Sequence, residues 1–257
     1  MTKERGAALV TGGGKRIGRA ISMRLAREGF SLALHSSERS RAEAQATCDE
    51  LTLMGACACV VTCDLASDDV SNLVAEAQRQ FGFVSTLVNN ASLFERDSAA
   101  PFDPLIFDRH MAVNVRAPLA LASAFHDALP SHASGVIVNV LDQRVARLTP
   151  HYFSYTLSKS ALWAATKTLA QSFAPHIRVN AVAPGPVMPN VNDGSDAFEG
   201  EAAAVPLQAS ADPDDIAEAV AYLINARSVT GQTIYVDGGQ RLAWRTPDVI
   251  AGYEGGV

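Results

Sequence analysis

The chain has 257 residues, 48% of them hydrophobic, and carries a formal net charge of −6 with a pI of about 5.5. That is enough apolar material for one large buried core, and the mild acidity gives no field that would draw the protein to nucleic acid or an anionic membrane. No stretch of about 18 apolar residues is present, and the opening MTKERGAALV lacks an apolar leader, so a soluble, cytoplasmic protein is expected, with no membrane and no nucleic-acid partner.

Ala7–Thr11 (AALVT) reads as a short buried parallel strand. TGGGKRIG follows, then IGRAISMRLAREG, which has helical periodicity and stops at Gly29. Strand, glycine-rich turn and helix make a phosphate-binding context. Glycines let the backbone approach a pyrophosphate, and a helix N-terminus offers unpaired N–H groups.

Residues 31–35 (SLALH) read as a second strand, with a helix from SSERSRAEA to about Met54. An NAD-binding chain would place an acid at this strand end to hold the adenosine ribose. Here stand Ser36, Ser37, Arg39 and Ser40, with Arg16 inside the glycine loop. Hydroxyls and a guanidinium suit a ribose 2′-phosphate, which favours NADP; Glu38 favours ribose hydroxyls and so NAD.

Cys57–Thr62 reads as a third strand ending at Asp64, a candidate acceptor for the adenine amino group or else a loop or helix cap. Cys57 and Cys59 would share a face of that strand. Without a nearby histidine they make a poor zinc site, so they and Cys48 and Cys63 read as buried thiols, and no metal is expected.

A helix over 68–81 precedes a strand at Thr86–Asn89, and Pro104–Leu129 reads as one long helix carrying Asn114. That asparagine is either a placed polar group or a kink near Pro118. Gly135–Val140 is a fifth strand ending at Asp142, followed by a helix over about 154–173, a strand at 177–182, and a long loop, 186–211, read as a substrate lid. Asp212 and Pro213 start a helix to about Asn225, and Thr233–Val236 is a last strand. The tail, 240–257, shows no periodicity. Six or seven strands alternating with helices, without repeat or linker, predict a single α/β domain over 1–257. Its architecture is a Rossmann-type doubly wound parallel sheet flanked by helices.

Tyr155 and Lys159 stand four apart on a predicted helix, hence on one face. An ammonium beside a phenol lowers the phenol's pKa toward the working pH, making a proton donor for a carbonyl or imine as hydride arrives. Gly12, Asp64, Asn89 and Asp142 all fall at predicted carboxyl ends of strands, so they converge on one sheet edge.

These residues together carry a resemblance. TGGGKRIG at 11–18, CDL at 63–65, NNAS at 89–92, Asn114, YTLSK at 155–159, PG at 184–185 and DGG at 237–239 resemble, in order and spacing, the short-chain dehydrogenase/reductase family over residues 5 to 240. The resemblance implies that Tyr155 donates the proton, that Lys159 tunes it and holds the nicotinamide ribose, and that Asn114 positions a relay water. It implies NADPH/NADP contacts at Gly12, Lys15, Arg16, Ile17, Gly18, His35, Ser36, Ser37, Arg39, Ser40, Asp64, Leu65, Asn90, Ala91, Ser92, Tyr155, Lys159, Pro184, Gly185 and Val187. A homotetramer is implied as well; the small and apolar residues of ALWAATKTLA, more than one buried face needs, point the same way.

Two departures from the common pattern, Arg16 for a glycine and Asp142 for a serine, are shared with the pteridine reductase and dihydromonapterin reductase branch. So is Phe94, where that branch stacks an aromatic on the pterin. The substrate contacts expected are then Phe94, Asp142, Tyr155 and Pro186, on a small flat heterocycle. A ketone or 3-oxoacyl thioester is the alternative substrate. A non-catalytic NADP-binding protein is the alternative class, and the intact Tyr155/Lys159 pair speaks against it.

Overall fold

The computed structural model describes residues 5–66, 70–189 and 194–243, with backbone alone at 194–197. Seven parallel strands form one sheet in the order β3-β2-β1-β4-β5-β6-β7. They are β1 (Ala7–Thr11), β2 (Ser31–Ser36), β3 (Ala58–Thr62), β4 (Val84–Asn89), β5 (Gly135–Val140), β6 (Ile177–Pro184) and β7 (Thr233–Val236). The chain winds outward from β1 in both directions, so the crevice lies beyond the carboxyl ends of β1 and β4, where the order reverses.

Strand side chains alternate between two cores. Ala8 and Val10 of β1 face one layer with Ile21 and Leu25 of α1 (Arg16–Arg27), Leu51 of α2 (Arg41–Leu53) and the Ile216, Val220 and Leu223 stripe of α8 (Pro213–Asn225). Ala7 and Leu9 face the other, with Leu73 and Val74 of α3 (Asn72–Phe81), Leu121 and Phe125 of α5 (Ala117–Ala128) and Ala170 of α6 (Phe153–Phe173). Residues of one strand two apart share a face, and covering both faces is what makes these strands almost wholly apolar.

Three expectations change. The long helix over 104–129 is broken: α4 (Pro104–Met111) and α5 flank a π-helical segment at Ala112–Arg116, where the Ala117 N–H reaches back to the Ala112 carbonyl. Pro118 has no N–H to offer the Asn114 carbonyl, so the α-ladder cannot close there. The stretch 186–211 is not all loop, since α7 occupies Gly194–Ala204, a segment rich in alanine and glutamate. Among the cysteines only Cys48 is buried; Cys57 precedes β3 and is exposed, while Cys59 and Cys63 are half-buried. Burial still pushes the Cys59 thiol up to about 11. The first residues of the helix expected over 68–81, positions 190–193 of the lid, and the tail beyond Ala243 lie outside the described residues.

Candidate active site

The site is assembled from strand ends. Thr11 Oγ accepts from the N–H groups of Asn90 (2.9 Å) and Ala91 (3.0 Å), while the Asn90 amide donates to the Thr11 and Gly12 carbonyls. These bonds clasp the end of β1 to that of β4. Gly14 lies so close to α2 that a Cβ there would stand 2.3 Å from the Ala44 Cα. Arg16, in place of the usual glycine, has φ 50°, the left-handed backbone that glycine adopts without cost. At the N-terminus of α1, Lys15 makes no side-chain cap and the first turn holds no acid. The N–H groups and positive dipole end are therefore left for an anion, and this donor set fits a pyrophosphate.

His35 ties three strand ends together: its Nδ1 accepts from the Gly12 N–H at 3.3 Å, and its Nε2 donates to the Cys63 carbonyl at 3.0 Å. Burial holds its pKa below the ordinary value, which keeps the neutral ring these two bonds require. Ser36 Oγ is buried without a hydrogen-bond partner among the described residues, and the Ser37 and Ser40 hydroxyls pair at 3.2 Å beside exposed Arg39. Arg16 does not join this group. Its guanidinium donates to the Met188 and Pro189 carbonyls after β6. Asp64 is exposed and turns back on the Ala66 N–H, beside buried Leu65.

At the centre, the Tyr155 hydroxyl donates to Asp142 Oδ2 at 2.9 Å. Asp142 also accepts from the Arg144 backbone N–H (2.9 Å) and guanidinium (3.2 Å). Burial first, and then the Asp142 carboxylate, hold the Tyr155 phenol well above its ordinary value, against the opposing charge of Arg144. This corrects the expectation that Lys159 lowers it. Lys159 lies 5.7 Å from the Tyr155 ring centroid, donates to the Val140 carbonyl at 2.8 Å, and is itself pushed down to about 8 by burial.

Asn114 lies inside the π-helical break, where the kink near Pro118 was one of its two expected readings. Its amide oxygen accepts from Leu93 N (2.8 Å) and Ser92 Oγ (3.2 Å), and its nitrogen donates to the Leu93 carbonyl (2.9 Å) and Ser158 Oγ (3.0 Å). The side chain braces the loop after β4 against α6. Two residues that sequence reading missed hold the same loop: His110 Nε2 accepts from the Glu95 N–H, and the Asp97 carboxylate caps α6 through the Ser154 N–H and hydroxyl. Phe94 is thereby fixed edge-on to Tyr155, centroids 4.6 Å apart, and stacked on Tyr152 at 4.2 Å.

A cavity of about 860 Å³ opens over these groups. Of the expected residues, Arg16, Ile17, Asn90, Ser92, Phe94, Asp142, Tyr155, Lys159, Pro184, Gly185, Pro186 and Val187 line it. Those of the adenosine side, His35 through Ser40 with Asp64 and Leu65, lie outside its lining, as do Gly12, Lys15, Gly18, Ala91 and Asn114. Arg144, Tyr152 and, from α7, Phe198 and Glu201 line it without having been anticipated. The spacing of Arg144 from Asp142 was the available signal, since an arginine two residues from a site carboxylate is a ready ion-pair partner.

A family model described as enoyl-(acyl carrier protein) reductase matches residues 12–241. The 3-oxoacyl-(acyl-carrier-protein) reductase FabG of Staphylococcus epidermidis is 30% identical over 239 residues, 91% of this chain and 98% of its own length. Among solved structures, FolM alternative dihydrofolate reductase 1 from Brucella suis, in complex with NADP, is 47% identical with a TM-score of 0.93, covering 96% of this chain and 99% of that one. A short-chain dehydrogenase from Burkholderia cenocepacia, also with NADP, is 31% identical with a TM-score of 0.87, over 95% and 100% of the two chains. With its glycine loop, its Tyr155/Lys159 helix and matches along nearly its whole length, this chain belongs to the short-chain dehydrogenase/reductase family.

Proposed function

We propose that this oxidoreductase uses NADPH to reduce a C=N bond, or a C=O bond, in a pterin-like heterocycle. The observation that carries this reading is the hydrogen bond from Tyr155 to Asp142 beside the fixed ring of Phe94. A carboxylate accepts from amino and ring N–H groups, and an aromatic edge and wall suit a flat ring. The likeness to the two Brucella FolM proteins, at 46% and 47% identity, supports it.

Lys15, Ile17 and Gly18, at the open N-terminus of α1, would hold the pyrophosphate of NADPH with Gly12. Ser36, Ser37, Arg39 and Ser40 would take its 2′-phosphate, and Asp64 and Leu65 its adenine. Asn90, Ala91, Ser92, Lys159, Pro184, Gly185 and Val187 would meet the nicotinamide half. Arg16, hydrogen-bonded across the cavity, fits a place between cofactor and substrate. When bound, the reduced dinucleotide supplies the hydride. The elevated pKa of Tyr155 keeps its proton in place near neutral pH, ready for the nitrogen or oxygen that becomes basic as hydride arrives. Asp142 holds the phenol's orientation, and Pro186 and Phe94 wall the ring.

The relatives named FabG favour a second reading, a 3-oxoacyl thioester as substrate. NADPH oxidation measured with dihydromonapterin, dihydrofolate, biopterin and a set of ketones and 3-oxoacyl thioesters separates the two. Turnover confined to the ketones and thioesters overturns the pterin reading. We further propose a cytoplasmic homotetramer, supported by the partly exposed Leu157 on α6 and the small residues that follow it; light scattering showing only monomer at micromolar concentration refutes the tetramer.

A further inference from the structure

A second cavity, of about 550 Å³, adjoins the first, and Arg96 and His151 line both. Between the reacting phenol and this rim runs a series of rings. Phe94 lies 4.6 Å from Tyr155, Tyr152 stacks on Phe94 at 4.2 Å, and the Arg96 guanidinium lies 5.7 Å from the Tyr152 centroid. Tyr152 is held with φ 55° and ψ 54°, a left-handed backbone that a bulky residue rarely adopts. Strain of this kind collects where a side chain is held for a purpose.

The charges around the second cavity are unequal in what they have left to bind. Its two carboxylates are committed to helix starts: Asp97 to the Ser154 N–H and hydroxyl at α6, Asp103 to the Leu105 and Ile106 N–H groups at α4. Arg96 is exposed and, among the described residues, forms no ion pair and meets only the face of Tyr152. A guanidinium resting on an aromatic face keeps its N–H edge free for a carboxylate.

We propose that Arg96 and His151 form a subsite for a carboxylate-bearing arm on the substrate. The preferred substrate then pairs a flat reducible ring at Tyr155 with an anionic arm running along Phe94 and Tyr152 to the second cavity. This rests on the heterocycle reading above and narrows it to ring systems with an acidic side chain, against those with a neutral hydroxyalkyl one.

The test compares kcat/KM for dihydrofolate, whose arm is a benzoyl-glutamate, with that for a dihydropterin bearing a neutral side chain, at saturating NADPH. The ratio is expected to favour the acidic arm at low salt and to fall as salt screens the exposed guanidinium. It should drop about tenfold in Arg96→Gln, the size of one charge-assisted hydrogen bond. Arg96→Glu should lower it further, and Arg96→Lys should restore part of it. A ratio unchanged in Arg96→Gln and Arg96→Glu overturns the subsite. Calorimetry with folate and unsubstituted pterin on the NADPH-loaded protein separates the two ideas. If neither ring is reduced but folate binds more tightly and loses that advantage in Arg96→Gln, the subsite stands and the reaction reading fails. If Arg96→Gln weakens only turnover of a phosphate-bearing 3-oxoacyl thioester, the carboxylate subsite is wrong.

Discussion

Asp97 and Ser154 are 57 residues apart, yet the Asp97 carboxylate accepts from the Ser154 N–H at 3.1 Å and from its hydroxyl. A residue in the first turn of the Tyr155 helix is thus bound to the loop that carries Phe94. Proton donor and aromatic wall are thereby held as one unit.

Removing that bond should cost both stability and rate. Asp97→Ala is expected to lower unfolding free energy by about 1–2 kcal/mol, the value of a helix cap, and to reduce kcat/KM as Phe94 loosens from Tyr155. Asp97→Asn should retain part of each. Urea denaturation and steady-state kinetics on the same preparations check both effects.

Tyr155→Phe should lower turnover by about 10²–10⁴-fold while leaving NADPH affinity nearly intact, because the phenol's proton matters in the transition state. Asp142→Ser is the finer probe: activity on the heterocycle should fall while activity on simple ketones holds or rises. If both activities fall together, or neither changes, the carboxylate is structural and the pterin reading loses its main support.

Arg39, Ser37 and Ser40 predict that NADPH binds more tightly than NADH. Each charge-assisted hydrogen bond to the 2′-phosphate is worth on the order of 1.5–3 kcal/mol. Arg39→Ala should therefore weaken NADPH by about tenfold or more and leave NADH unmoved. Calorimetric titration of both nucleotides is the check, and equal affinities in the parent protein contradict the assignment.

Lys159 predicts a pH dependence of stability. Its amine has a folded pKa of about 8, against an ordinary 10.5. Between these values the unfolded chain binds more protons, so stability rises with pH. Below about 8 both states are protonated and the full cost of burying the ammonium is present. The slope is at most about 1.4 kcal/mol per pH unit. Tyr155 acts oppositely only above pH 10, where the unfolded phenol ionises and the buried one does not. Lys159→Met should flatten the profile between pH 8 and 10 in chemical denaturation.

The sheet was legible because a strand covered on both faces is almost purely apolar: β1 and β5 run where their apolar runs do, β7, half-buried at the sheet edge, sits on its TIYV run, and α8 begins at its Asp212–Pro213 cap. What stayed hidden depends on contacts distant in sequence. Asp97 looks like any loop acid until the fold sets it under Ser154. His110 and Asn114 show as polar residues in a helix, and only the folded loop reveals what they hold. The opposite signs acting on Tyr155, from Asp142 and from Arg144, could not be weighed without burial. α7 escaped notice because its alanines and glutamates make no apolar stripe.

The π-helical segment at Ala112–Arg116 has a consequence for the two helices it joins. One residue beyond the α-helical count rotates everything after it by about 100° relative to an unbroken helix. α4 and α5 are therefore out of phase: Leu121 and Phe125 turn to the sheet, while His110 and Asn114 turn to the loop after β4. Proline at 118 keeps that offset in place. With alanine there, the chain could regain an even winding, and a single substitution remote from Tyr155 would swing the loop's braces away from it.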